Sequence, residues 1–383
     1  MLKRCTLTII LASLLACGDG TKSQADGVVT ANKVPGVTYA SGLSVEKTEG
    51  GITLLQVAAP WPDAQKAFRY ALVPKELAAT VTLNRDEYDV IISVPVESVV
   101  VTSTTHIPAL EALGVLDRLV GFPETRYISS PAARERIGEG HIKDLGSNES
   151  INTEMVLELQ PELVVGFAVG ERNKAYDLLQ RSSIPVVYNG DWTEESPLGK
   201  AEWIKFFAPF FGLEQKADSL FRDIEVNYME AMELAENSED FPTVLSGALY
   251  KDIWYLPGGS SWAARFLEDA NAAYLWNDNG DIGSLSLSVE HVLERGADAD
   301  YWISPSQYTS YAEMEQANRH YRQFKAFRDQ KVYTFARTRG ATGGYLYYEL
   351  GPSRPDLVLR DLVHILHPGL LPGYQPYFFK PLN

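Results

Sequence analysis

Cysteine is nearly missing from this 383-residue chain: there are two, Cys5 and Cys17, both near the N-terminus. Everything after residue 17 therefore lacks disulfides, thiol nucleophiles and thiolate metal ligands. No G-x-S-x-G nucleophile elbow occurs. The glycine-rich turns G-G-S-S (258–261) and G-A-T-G-G (340–344) lack the Lys-Ser/Thr ending of a phosphate loop and read as plain turns. Positive charge is short as well, with 34 Lys and Arg against 50 Asp and Glu, a net charge of −16. That balance excludes nucleic acid and other polyanions as partners. These absences leave no catalytic constellation, and no enzymatic activity is expected.

Long apolar runs are also lacking, apart from Leu7–Leu15. That run is shorter than the roughly 20 residues a membrane-crossing helix needs. It follows Lys3 and Arg4 and ends in L-L-A-C at 14–17, which reads as a secretory signal peptide over 1–16. Ending on Cys17, it resembles a bacterial lipobox, in which the cysteine becomes the lipidated first residue. Residues 17–38, mostly small and polar, then form a flexible tether. The expected location is the periplasm of a bacterial cell envelope. The lipid anchor would be the only membrane contact, and the body a monomer.

The body is long enough for two domains. Residues 43–73 alternate and break at Gly-Gly and Pro, as a β-hairpin or small edge sheet does. The β-branched run at 99–102, a helix ending at Gly114 and a strand near 118–122 make a β-α-β unit. Helix–strand pairs repeat at 153–167 and 174–188. From Leu213 to Asn237 there are 25 residues without Gly or Pro, with Ala217, Leu220, Phe221, Ile224 and Tyr228 in one apolar stripe. The expectation is a strut of about 37 Å. Strands restart at 243–250, 300–304 and 331–335, and a final helix spans 355–368. The fold class is therefore α/β: two Rossmann-like lobes, 39–203 and 239–383, joined through 204–238 by one long rigid helix.

The halves also echo each other in detail. E-x-V-L-E occurs at Glu154 and again at Glu290, each two residues after a helix cap (Asn152 or Ser288) and each before a strand-like run. A carboxylate in a first turn complements the helix dipole. Placed on separate lobes, the two are too far apart to share one reacting bond.

Twin lobes, a lipobox and paired E-x-V-L-E helices resemble the substrate-binding lipoproteins of ABC importers for ferric siderophores, haem and cobalamin. The most specific pieces are VVVTSTTHIPALEALGVLDRLVG, L-x-P-E-L-V-V (159–165), PLGKAEWIKF (197–206) and RPDLVLRDL (354–362); the last two resemble a Bacteroidetes-type branch. The resemblance implies a ligand between the lobes, and a permease dimer docked on both lobes through Glu154 and Glu290.

Ligands of open α/β sheets lie beyond the carboxyl ends of the strands. That rule selects Thr104, Thr105, His106, Arg126, Tyr127 and Trp192 in the first half, and Tyr250, Trp254, Ser260, Arg337, Arg339 and Tyr345 in the second. Aromatic faces with a few guanidinium groups suit a large, flat or partly anionic small molecule. The expected ligand is an iron(III)-siderophore-type chelate, with a corrinoid or haem as the alternative. No bare metal site is expected, because the other five histidines lie outside these loops. No cofactor is called for.

Overall fold

The computed structural model describes residues 31–32, 36–62, 64–170 and 173–383. The leader and Cys17 lie outside the described residues. The first half is organised by Val99–Val101, three consecutive valines buried on both sides. Such an unbroken apolar run is what the middle of a parallel sheet needs, because helices cover both of its faces. Numbering strands in chain order, an extension contributes β1 (Ala31–Asn32), β2 (Leu43–Thr48), β3 (Thr53–Val57), β4 (Phe68–Pro74) and β5 (Val90–Val94). The lobe itself uses β6 (Val99–Val101), β7 (Leu119–Phe122), β8 (Lys143–Asp144), a ribbon of β9 (Gly146–Ser147) and β10 (Ser150–Ile151), then β11 (Leu163–Gly166) and β12 (Val186–Tyr188). Its parallel sheet runs β12-β11-β6-β7-β8. The helices are α1 (His106–Leu113), α2 (Pro131–Gly138), α3 (Thr153–Leu159) and α4 (Lys174–Arg181).

The sequence points to the extension but understates it: β4 runs parallel to β5, a strand the alternation does not announce, making a five-stranded sheet. Its inner face joins the lobe core, with Leu55, Tyr70 and Ile92 packing among Val99, Val101 and Leu110. The Tyr70 hydroxyl accepts the Tyr188 N–H at 2.9 Å, satisfying a donor on edge strand β12.

After β12 come α5 (Pro197–Glu202), α6 (Ile204–Phe207) and then α7 (Glu214–Glu236), 23 residues and about 34 Å long. The expected stripe is its inner face: Ala217, Phe221 and Tyr228 are buried. Tyr228 donates to Asp269 at 2.5 Å, tying the helix to the second lobe.

The second lobe has β13 (Thr243–Ser246), β14 (Ala248–Tyr250), β15 (Ile253–Pro257), β16 (Ala273–Tyr274), β17 (Ser284–Leu287), β18 (Tyr301–Ile303), β19 (Val332–Thr334) and β20 (Lys380–Pro381). Its helices are α8 (Trp262–Asp269), α9 (Val289–Gly296), α10 (Tyr311–Ala317), α11 (Lys325–Arg328), α12 (Leu346–Leu350) and α13 (Pro355–Leu366). The main sheet runs β16-β13-β18-β19-β20. The single strand expected at 243–250 is broken at Gly247, whose φ of 77° turns the chain into the antiparallel β14-β15-β17 sheet. A side chain there would collide with the Tyr255 carbonyl, so glycine is required.

Two buried carboxylates fasten the start of the body to the middle of the molecule. Glu202, fully buried, accepts N–H bonds from Thr38, Tyr39 and Ala40 at 2.9, 2.6 and 2.9 Å and an ion pair from Lys205 at 3.0 Å. Glu194 accepts from Ser41 and Gly42 backbone N–H groups and from the Trp203 indole. Tyr39 adds a 2.6 Å bond to Glu225 on α7. Glu202 in the PLGKAEWIKF segment thus grips residues 38–40, and Glu194, three residues before that segment, grips 41–42. Glu202→Ala is expected to cost about 3–5 kcal/mol, because a lysine and three amides lose their acceptor. Urea unfolding measures the loss, and early proteolysis within 36–43 would report the freed segment.

His106 is fully buried against Phe207, at 5.3 Å, and among the described residues neither ring nitrogen has a well-formed hydrogen bond. Burial lowers its pKa from 6.5 to about 4, against the opposing pull of Asp191 and Asn189. The folded state therefore holds the neutral ring while the unfolded chain protonates. This contribution is present above pH 6.5 and is lost as pH falls toward 4, by about 3 kcal/mol. The difference in unfolding free energy between the wild type and His106→Gln should shrink by that amount from pH 7 to pH 4 in urea titrations.

Candidate ligand cleft between the lobes

Strand order locates the crevice. The first sheet reverses direction between β6 and β11, and the second between β13 and β18; ligands of open sheets bind outside such switch points. The two orders differ, so the lobes are similar in class but not copies in topology. At the second switch point Ser304 and Ser306 take φ of 59° and 54°, the kind of backbone strain that clusters at functional loops.

The lobes meet at a junction beside α12. Glu349 of α12, buried in the second lobe, accepts the backbone N–H groups of Ser129 and Ser130 at 2.5 and 2.8 Å. Beside it, the loop 340–344 lies directly on the first lobe. A methyl group on Gly340 would stand 2.6 Å from Ser129 Cβ, and one on Gly344 would stand 2.8 Å from the Tyr127 carbonyl. The G-A-T-G-G segment is therefore a plain turn whose missing side chains allow the lobes to touch.

Two arginine–tyrosine pairs flank this junction. In the first lobe, exposed Arg126 lies 4.8 Å over the ring of half-exposed Tyr127 and bonds Glu124 at 2.7 Å. Its pKa is raised, first by the Tyr127 hydroxyl and then by Glu124. In the second lobe, Arg339 lies 4.6 Å over Tyr345 and donates to its hydroxyl at 3.2 Å. Tyr345 leads into an aromatic column in which Phe335 stacks on Tyr347 at 4.9 Å and Tyr347 on Trp262 at 5.7 Å. Lys200, from α5, places its ammonium 5.4 Å from Trp262 while bonding the Asp191 and Trp192 carbonyls. Burial lowers the Lys200 pKa, with Asp191 and Glu194 opposing. Thr104 and Thr105, partly exposed, form the approach to α1.

Other expected residues are placed elsewhere. Trp254 is fully buried, stacked on Trp302 at 5.3 Å and donating to the Ser246 carbonyl, so it is core and not cleft. His106 is removed from the ligand-facing set for the same reason. Trp192 anchors a loop, its indole N–H bonding the Pro60 carbonyl at 2.9 Å while its ring meets Phe167 at 5.6 Å. Arg337 bonds the Pro381 carbonyl of β20. Tyr250, 67% exposed, stands at the tip of the β14–β15 hairpin. Ser260 is exposed in a recess beside α7 with Arg265 and Glu268.

Sequence reasoning missed Lys200, Trp262 and Glu349. The signal for the first was a lysine inside PLGKAEWIKF, a segment otherwise apolar enough to be buried. Glu154 and Glu290 are both exposed in first turns, under caps from Asn152 to Met155 N–H (3.1 Å) and Ser288 to His291 N–H (3.3 Å). Among the described residues no three His, Cys, Asp or Glu gather as a metal site, and no helix is long and apolar enough to cross a membrane.

Comparison with known proteins agrees with this architecture. An uncharacterized lipoprotein of Methanocaldococcus jannaschii is 27% identical over 302 residues, 76% of this chain and 70% of that protein. A periplasmic binding protein from Veillonella parvula superposes with a TM-score of 0.58 at 19% identity, covering 88% of this chain and 98% of that one. A periplasmic haem-binding protein from Pseudomonas aeruginosa gives 0.57 at 18% identity, covering 75% and 98%. Residues 99–337 match the family described as periplasmic binding protein, and with that match over most of the body the chain belongs to it.

Proposed function

We propose that the protein is the extracytoplasmic receptor of an ABC importer, capturing an iron(III)-siderophore-type chelate in the cleft and delivering it to a permease dimer. The observation that carries this reading is the convergence of Arg126–Tyr127 and Arg339–Tyr345, from opposite lobes, on one junction. Guanidinium groups held over aromatic rings offer both a flat apolar surface and donors for the oxygen shell of a chelate. Thr104, Thr105, Lys200, Trp262 and Tyr250 extend the candidate contact surface. Haem is the second reading, favoured by the likeness to the Pseudomonas protein.

The carrier would be a monomer lipidated at Cys17 and tethered in the periplasm, a reading supported by the likeness to a named lipoprotein. Glu154 and Glu290 would dock on cationic sockets of the two permease subunits. Exposed carboxylates held at a fixed spacing steer and register such a complex more than they tighten it.

Tryptophan quenching of residues 18–383 with ferric siderophores, haem and cyanocobalamin tests the ligand class. A ferric chelate should quench saturably, and silence from all three would sink the receptor reading. Arg126→Ala with Arg339→Ala should weaken that ligand about tenfold or more. By contrast, Glu154→Ala with Glu290→Ala should leave affinity within about twofold while abolishing cellular uptake, since rim charges act on encounter with the partner. Lower affinity with normal uptake would reverse the docking assignment.

A further inference from the structure

A cavity lies against α7, about 450 Å³ in volume and lined by neither Arg–Tyr pair. Its walls come from α1, α5, α6, α7 and α12 and the turn before α13, so it touches both lobes and the strut. Most of the lining is apolar, including Ile204, Ile224 and Leu346. The volume is within the usual range for small-molecule sites.

Its charges are one-sided. Glu111 and Glu349 share Ser130: the Ser130 hydroxyl donates to Glu111 Oε2 at 2.8 Å and its backbone N–H to Glu349 Oε1 at 2.8 Å. Asp223 faces the same space from α7. Among the described residues none of these three carboxylates is paired with a lysine or arginine. Arg354, the cation in the lining, spends its guanidinium on Asp356 through two 2.8 Å bonds. Burial, with Glu111 adding to it, raises the Glu349 pKa. An apolar chamber with two carboxylates converging on one serine lacks a counter-charge, and a ligand that brings one gains charge-assisted hydrogen bonds in a partly desolvated place. Bare divalent cations are disfavoured, because among the described residues no three acidic or histidine side chains gather closely enough to hold one.

We propose that this cavity is a second small-molecule site, selective for an organic monocation with an apolar body, and that its occupant bridges both lobes to α7. The ammonium or guanidinium end meets Glu111 and Glu349, and the apolar body lies on Ile204, Ile224 and Leu346. The proposal is independent of what fills the main cleft.

Calorimetric titration of the full chain at pH 7 with phenethylammonium, against its neutral analogue 2-phenylethanol, tests it. The ammonium should bind saturably at one site and the alcohol at least about tenfold more weakly. Glu111→Gln, on an exposed face of α1, should cut ammonium affinity about tenfold without changing the urea midpoint. Ala112→Trp, at the exposed rim, should abolish binding of both probes. Absence of saturable ammonium binding overturns the proposal, as does equal binding of the alcohol. Undiminished affinity in Glu111→Gln refutes the charge assignment, and undiminished affinity in Ala112→Trp places the probe elsewhere.

Discussion

The carboxylate of Glu349 is the contact on which the geometry of the whole depends. A charge-bearing group taken out of water is costly unless it is hydrogen-bonded, and each oxygen of this one accepts an amide N–H of the other lobe. The bond fixes the distance between the lobes at one point, while α7 fixes their relative direction over about 34 Å. Two such constraints leave little freedom. The width of the cleft, the separation of Glu154 from Glu290 and the chamber against α7 all follow from them.

Much of this was legible from residue order alone. Periodicity and caps located α1, α3, α7 and α13 within a residue or two, because each has a local signal: Gly114, Asn152, the run from Leu213 to Asn237 without Gly or Pro, and Pro355. The strut was readable because 23 helical residues with one apolar stripe have few other ways to bury that stripe. Strand β5 was not readable. Its partner β4 lies a loop away, and a parallel pairing leaves no hairpin turn to announce it.

The candidate site was read by loop and not by side chain. Counting residues beyond strand ends selects loops, yet cannot separate Trp254, turned inward onto Trp302, from Tyr250 four residues earlier and turned outward. Alternation in β14 and β15 decides that, and the break at Gly247 resets its phase. His106 shows the same limit: the first residue of a helix at a cleft mouth can still point into the core. Lys200 and Glu349 were hidden for the opposite reason, since charged residues are expected at the surface and these two are buried at the seam.

Residues 38–42 enter the molecule over α5 and α7, gripped by Glu202, Glu194 and Glu225. In mechanical terms, residues 38–42 act as a splint. Tyr39 bonds α5 through its backbone N–H and α7 through its hydroxyl, so a shift of the strut against the helix before it would have to break one of those bonds.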